Sequence, residues 1–336
     1  MTDRDCLDVA SAPAVDPWHR IRVGAALVYA TVLASVVIVH GVPTGRTSIA
    51  VIIVVGLAIS RLGTGWRRLG QVLLDWLPFT LVLTAYDKTR AVADAIGMPL
   101  HEADVVGWER ALFDGNIPTV WMQQHLFDPQ HVYWYDAVFT LVYTSHFIAT
   151  PALAAVLWLR DRTAWLRFIA RVVLLSITGL ATYILFPEAP PWLAFRDGVI
   201  HEQVGRLSAR GWIWLHAGDL RATLDHAQQD GTNPVAAMPS LHVAFACLVA
   251  IFVAGRMRST WRWLLVLYPV AMGVTLVYCG EHYVVDLVAG ALYAVAVHLA
   301  MNAWERHRAA RVAARVAEQP VSDSDRADVA TASTTV

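Results

Sequence analysis

Long apolar segments separated by polar connections dominate this chain. Eight such segments approach or reach the roughly 20 residues that a helix needs to cross a bilayer. They are residues 23–39, 47–59, 69–86, 132–159, 164–186, 240–254, 261–279 and 283–301. The second is short for a crossing, and Pro151 lies inside the long fourth one, where it predicts a kink or a tilt. The pattern predicts an all-α, polytopic membrane helical bundle with six to eight transmembrane helices.

The composition agrees with a membrane protein. Of the 336 residues, 57% are hydrophobic and 16% are charged, whereas soluble domains carry about 25% charged residues. The formal net charge of −1 gives no electrostatic reason to expect nucleic acid as a partner. Lys88 is the only lysine among many arginines, a bias that is typical of GC-rich codons. We therefore expect a multi-pass protein of a bacterial cell membrane.

The distribution of arginines predicts the topology. They cluster before the first apolar segment and after the second, fourth, sixth and eighth, and the positive-inside rule places that side in the cytoplasm. The long connections 87–131 and 187–239 then lie outside, and their length indicates a functional role. The predicted division is a disordered cytoplasmic N-terminus (1–19), a membrane domain (20–303), and a basic cytoplasmic helix with a disordered tail (304–336).

Two histidines stand at the predicted outer ends of apolar segments, where lone ionisable groups are costly and usually functional. His282 and Asp286 are four residues apart, so on a helix the carboxylate can accept the Nδ1–H and leave Nε2 as a nucleophile or base. The alternative is a polar helix start, with Asp286 as a first-turn charge on the helix dipole. Ser240 can cap the sixth apolar segment, and the exposed N–H groups at that helix start would bind an anion. His242, in the same first turn, can protonate a leaving oxygen. The alternative there is an ordinary cap beside a half-buried histidine.

These residues resemble the motifs of a known family. Residues 239–242 (Pro-Ser-Leu-His), followed by His-x-x-x-Asp at 282–286, resemble the second and third motifs of the type 2 phosphatidic acid phosphatase superfamily. Residues 186–192 (Phe-Pro-Glu-Ala-Pro-Pro-Trp) and 281–286 (Glu-His-Tyr-Val-Val-Asp) resemble its inositol phosphorylceramide synthase branch, the aureobasidin-resistance or inositolphosphotransferase type. The family-like core is expected at 87–303.

The resemblance implies a two-step phosphoryl transfer without a metal or another cofactor. His282 would be the nucleophile that forms a phosphohistidine, and Asp286 would orient it. His242 would protonate the leaving alcohol and then activate the acceptor, which is water or an alcohol. Ser240 would hydrogen-bond the phosphate of a lipid phosphate substrate.

The chain departs from the superfamily pattern in its cationic residues. The first motif, a lysine followed after six residues by Arg-Pro, is absent, and Thr275 and Leu276 stand near the place of the third motif's Ser-Arg. Because a phosphate dianion needs cationic partners, Lys88 and Arg90 are predicted to supply part of them; the alternative is that they are interfacial anchors. His146 is expected to contact the headgroup or a second histidine, or else to be a buried histidine bonded to backbone.

The sequence thus favours a membrane phosphotransferase or phosphatase that acts on a lipid phosphate or phosphoinositol-type donor at the extracytoplasmic face. Glu188, Pro190, Pro191 and Trp192 are expected to shape the entrance to this site; the alternative is that they form a rigid exit from the fifth apolar segment. The alternative is a proton-coupled transporter that uses the same histidines and Asp286 as a relay, with Asp75 on the inner half, although no internal repeat supports it. A third hypothesis is a metal site built from His242, His282 and Asp286.

Overall fold

Helices form almost all the regular structure of this protein. The computed structural model describes residues 16–40, 46–92, 98–217 and 234–318, and all structural statements below concern those residues. In chain order the helices are α1 His19–His40, α2 Arg46–Ser60, α3 Trp66–Val92, α4 Ala103–Leu112, α5 Pro118–Leu126, α6 Trp134–Arg160, α7 Arg162–Leu185, α8 Pro191–Arg196, α9 Gly211–Trp214, α10 Leu241–Ala254, a 3-10 helix Thr260–Val266, α11 Leu267–Tyr278 and α12 Val284–Glu318. Each of the apolar segments therefore falls in a helix, and the seventh is divided between the 3-10 helix and α11.

The fold class predicted from the sequence is confirmed: the protein is an all-α membrane bundle. Within the described part of the chain, four stretches are long and apolar enough to cross a membrane, namely Trp134–Arg160, Arg162–Leu185, Thr260–Tyr278 and Val284–Arg315. Two shorter apolar helices are Ser48–Ser60 and Leu241–Ala254. The count of six to eight crossings stays a prediction.

Helix α10 lies at the centre of the bundle, in contact with α6, α7, α11 and α12. Its residues Ala244, Leu248 and Phe252 are buried in the main apolar core, together with Phe168 and Leu175 of α7. A helix enclosed by others has no lipid-facing or water-facing side to satisfy, so it is apolar around most of its circumference. This accounts for the run Val243–Ala254, which contains no charged residue.

The arginine-rich connections meet at one end of the bundle. Arg256, after α10, lies 3.4 Å from Asp161, between α6 and α7. Arg171 of α7 donates to Glu305 of α12 at 2.7 Å. His242 and His282 lie at the other end of the bundle. Helix α10 begins at Leu241, beside His242, and ends at Ala254, and α12 begins at Val284, just after His282. Beyond residue 303, the predicted basic helix is a continuation of α12 to Glu318.

Pro151 does not interrupt α6, which runs unbroken from Trp134 to Arg160. Asp75 of α3 accepts hydrogen bonds from Trp158 Nε1 at 2.9 Å and from Arg162 Nη2 at 2.6 Å. Asp75 thus ties α3 to the ends of α6 and α7, on the arginine-rich side.

The connections at the histidine end form a layer over the bundle. Gln123 of α5 donates through Nε2 to the carbonyl oxygens of Gly205 at 2.9 Å and Tyr278 at 2.8 Å, and it accepts from the Gly205 N–H at 2.8 Å. Gly280 has a φ of +73°, and a Cβ there would lie 2.8 Å from the Gly205 oxygen. A side chain at this turn would be strained and would collide with backbone. The layer therefore fixes the turn that precedes His282.

Candidate active site

The backbone brings the two histidine motifs together. Ser240 caps α10, its Oγ accepting from the Val243 N–H at 3.5 Å, which places His242 in the first helical turn. The Ser240 N–H donates to the backbone oxygen of Asp286 at 3.0 Å. Gly290 allows this approach, because a Cβ there would lie 2.3 Å from the Ser240 oxygen.

His242, His282 and Asp286 form a continuous chain of contacts. Nδ1 of His242 lies 3.3 Å from Nε2 of His282, and Nδ1 of His282 lies 3.4 Å from Oδ2 of Asp286. The Tyr283 N–H donates to the same Asp286 oxygen at 2.9 Å. The His282 side chain is 6% exposed and that of Asp286 is 0% exposed. In this arrangement Asp286 can hold the Nδ1–H tautomer of His282, which turns the lone pair of Nε2 toward His242.

His146 extends the array on the other side of His242. The ring centres of His146 and His242 are 4.3 Å apart. The sequence predicted that His146 contacts a headgroup or a second histidine, and the structure shows the second histidine. Tyr143, one turn earlier on α6, stacks on His242 at 5.3 Å between ring centres. On its far side His146 lines an apolar pocket with Trp76 and Phe245.

Ser240 and the cationic candidates are placed differently. Ser240 is 0% exposed, and its Oγ faces the Val243 N–H, so its role toward a phosphate stays a prediction. Lys88 and Arg90 lie in the last turns of α3. Their side chains lie outside the described part of the structure, and their proposed contact with phosphate is likewise untested.

Sequence reasoning missed a carboxylate that caps α12. Glu109 of α4 is fully buried and accepts from the N–H groups of Val284 at 2.9 Å and Val285 at 3.4 Å, at the start of α12. Burial raises the pKa of Glu109. A negative or hydrogen-bond-accepting group at a helix N-terminus is stabilising. No local pattern could reveal it, because Glu109 and Val284 are 175 residues apart in sequence.

Glu188 was expected from the sequence to shape the entrance to the site, and the structure contradicts this. Its side chain is 0% exposed, and it lies behind Asp286, with which it interacts. The neighbouring Ala189 is also fully buried, so this part of the segment lies in the protein interior.

Arg206 is a cation that the fold brings beside the turn before His282. It donates to Glu281 through Nε at 2.9 Å and Nη2 at 3.2 Å, and its guanidinium lies 4.9 Å from the ring centre of Trp192. Ser208 also donates to Glu281, at 2.6 Å. Sequence reasoning did not identify Arg206, since its connection to Glu281 spans 75 residues.

Among the described residues, no group of three or more His, Cys, Asp or Glu side chains is arranged to hold a metal ion.

The structure is an all-α membrane bundle that brings two histidines and an aspartate together at one end. This arrangement is consistent with a membrane-embedded phosphotransfer enzyme. The family model for the PAP2 superfamily matches residues 104–300. The chain therefore belongs to the PAP2 superfamily, the family that its motifs resemble. It is an enzyme of the lipid phosphatase and phosphotransferase kind.

A curated relative supports the narrower resemblance. The chain is 26% identical over 236 residues to the phosphoinositol dihydroceramide synthase of Bacteroides thetaiotaomicron, a match that covers 68% of this chain and 75% of that protein. The suspected likeness to the inositol phosphorylceramide synthase branch is thereby confirmed. No solved structure matches the chain.

Proposed function

We propose that this enzyme transfers a phosphate-bearing group from a membrane lipid through a phosphohistidine on His282. The observation that carries the proposal is the chain of contacts from Asp286 through His282 to His242, with separations of 3.4 and 3.3 Å. A histidine becomes a nucleophile when a carboxylate holds the proton on its other nitrogen. In this arrangement Nε2 of His282 is the attacking atom.

The proposed reaction has two balanced steps. In the first, Nε2 of His282 attacks phosphorus, an N–P bond forms, and the P–O bond to the leaving alcohol breaks while His242 donates a proton to that oxygen. In the second, the acceptor hydroxyl gives its proton to His242, its oxygen attacks phosphorus, and the N–P bond breaks. Asp286 balances the positive charge that the His282 ring carries in the intermediate.

Substrate binding requires the two histidines to separate. Reacting atoms in a productive complex lie about 3–3.5 Å apart, yet Nε2 of His282 already has Nδ1 of His242 at 3.3 Å. One ring must turn aside before phosphorus can reach Nε2. The proposal therefore includes a rotation of His242 or His282 on binding.

Charge on the transferring group needs stabilisation from the surrounding residues. The first-turn N–H groups of α10 supply a helix N-terminus, and Lys88 and Arg90 remain the proposed cationic partners. Arg206 joins them as a candidate, since it pairs with the residue next to His282.

The name of the Bacteroides relative supports phosphoinositol as the transferred group and a lipid alcohol as the acceptor. Transfer to water instead would make the enzyme a phosphatase. The arginine-rich connections at the opposite end support an extracytoplasmic site. The transporter alternative gains no support, because Asp75, its inner relay, is engaged by Trp158 and Arg162.

The test is turnover of a panel of lipid phosphates and phosphatidylinositol by the purified full-length protein, with a metal chelator and with or without a lipid alcohol. We expect metal-independent turnover that is abolished in His282→Ala. His125→Ala, at an exposed position on α5, is the matched control and should retain activity. A radiolabelled donor should leave an acid-labile, base-stable label on the wild-type chain. Full turnover by His282→Ala would refute the phosphohistidine mechanism, and the product identifies phosphatase or transferase.

A further inference from the structure

Two buried carboxyl groups lie together behind His282. Asp286 uses Oδ2 toward His282 and the Tyr283 N–H. Among the described residues, no group donates a hydrogen bond to Oδ1 of Asp286 or to either carboxyl oxygen of Glu188. Both side chains are 0% exposed, and Glu188 is within hydrogen-bonding reach of Asp286. Three carboxyl oxygens in the protein interior are thus left without a donor.

The backbone holds Glu188 firmly in this place. Its N–H donates to the Val235 oxygen at 2.8 Å, and the oxygen of the preceding Pro187 accepts from the His101 N–H at 2.9 Å. Glu188 pairs as an isolated bridge with both His101 and Ala236. A residue fixed on two sides in this way cannot easily carry its side chain out to water.

Two ionised carboxylates in contact repel each other strongly where water is excluded, so such pairs share one proton. Burial raises the pKa of Glu188 well above its usual range, and the neighbouring Asp286 and Glu109 raise it further. Tyr283 also faces this group, with the carboxyl groups of Glu188 and Asp286 nearby. The groups that surround Glu188 are therefore acidic. His282 contacts the carboxyl pair through Asp286.

We propose that Glu188 is a protonated positioning residue that donates a hydrogen bond to Oδ1 of Asp286. The pair then carries a single negative charge, which matches the single positive charge that the His282 ring acquires in the reaction. The proton also fixes the Asp286 carboxylate in the orientation that serves His282. This inference deepens the proposed function and rests on it for its catalytic consequence, but the protonation of Glu188 can be measured without a substrate.

The sign of the pH dependence follows from the raised pKa. An unfolded glutamate ionises near pH 4.3, whereas the folded protein keeps this proton to a higher pH. The contribution to stability is complete below the unfolded value and is lost as pH rises through the folded one. The same rise adds a second negative charge beside Asp286, so turnover should have a basic limb that depends on Glu188.

The first measurement is the infrared difference spectrum of the full-length protein at neutral pH, wild type against Glu188→Gln. We expect the C=O stretching band of a protonated carboxyl to be lost in Glu188→Gln. Glu202→Gln is the matched control, because Glu202 is an exposed acid and should carry no such band. If Glu188→Gln removes only carboxylate bands, Glu188 is ionised and the inference is wrong.

The second measurement is turnover as a function of pH. Glutamine donates to Asp286 as a protonated acid does, so Glu188→Gln should keep near wild-type turnover and lose the basic limb. Glu188→Leu offers no donor, and its turnover should fall about 10–100-fold, as for residues that orient a catalytic group. Equal damage in both variants, or an unchanged basic limb in Glu188→Gln, would overturn the positioning role. An active His282→Ala would instead overturn the proposed mechanism and leave the infrared result standing.

Discussion

Each nitrogen of the His282 ring has a distinct neighbour, and this determines what the ring can do. Nδ1 of His282 faces Asp286, and Nε2 faces His242. The sequence predicted the first contact from residues four apart on one helical face, but His282 lies in the turn before α12, which begins at Val284, and Asp286 lies in the first turn of that helix. The second joins residues that are 40 positions apart, and only the packing of α10 against α12 creates it.

The proposed role of His242 as a proton donor predicts a dependence on the leaving group. His242→Ala should lower turnover of a lipid substrate by about 10²–10⁴-fold, the usual contribution of general acid–base catalysis. A donor whose leaving group is an acidic phenol needs no proton, so its first step should be much less affected. The measurement is single-turnover release of p-nitrophenol against release of a lipid alcohol. Equal loss with both donors would contradict the role of His242 as an acid.

At the scale of elements, the site depends on the close approach of α10 and α12. Gly290 lies against the backbone of Ser240, with no space for a Cβ between them. Continuous apolar segments predicted both helices, but a glycine within a helix gives no indication of which neighbour it contacts. The start of α10, with His242, and the start of α12, just after His282, meet because this position lacks a side chain.

Gly290→Ala should therefore destabilise the protein. Its Cβ would stand 2.3 Å from the Ser240 oxygen, and relieving an overpacked contact costs about 1–3 kcal/mol or more. We expect a lower thermal unfolding temperature in detergent. Gly107→Ala is the control, because no atom lies within 4 Å of a Cβ at that exposed position on α4, and alanine there stabilises a helix by up to about 1 kcal/mol. An unchanged unfolding temperature for Gly290→Ala would contradict the close approach.

Over the whole molecule, the arginine-rich connections and the two histidines lie at opposite ends of the bundle. The ion pairs Arg256–Asp161 and Arg171–Glu305 gather the arginine-rich connections at one end. The histidines lie at the other end, beneath the layer that includes α4 and α5. This separation is the basis for proposing an extracytoplasmic site.

Sidedness can be measured by cysteine labelling in intact cells. Gln130 and Arg258 are both exposed and lie in connections at opposite ends. An impermeant thiol reagent should label Gln130→Cys in intact cells and Arg258→Cys only after lysis, with the wild-type chain as the background control. The reverse pattern would place the site in the cytoplasm.

The sequence by itself determined the features that depend on local order. Hydrophobic segments of membrane length predicted the helices. The spacing of His282 and Asp286 predicted that they are neighbours, although His282 lies in the turn before α12 and not within the helix. The family motifs led to His242 and Ser240 without any structure.

Tertiary structure alone decided which distant residues surround that pair. Glu109 caps α12 from another helix, and Glu188, expected at an entrance, is buried against Asp286. Arg206 reaches Glu281 across 75 residues. Side chains that meet only through folding leave no periodic trace in sequence, and burial can reverse the environment of a charged residue that a linear pattern assigns to the surface.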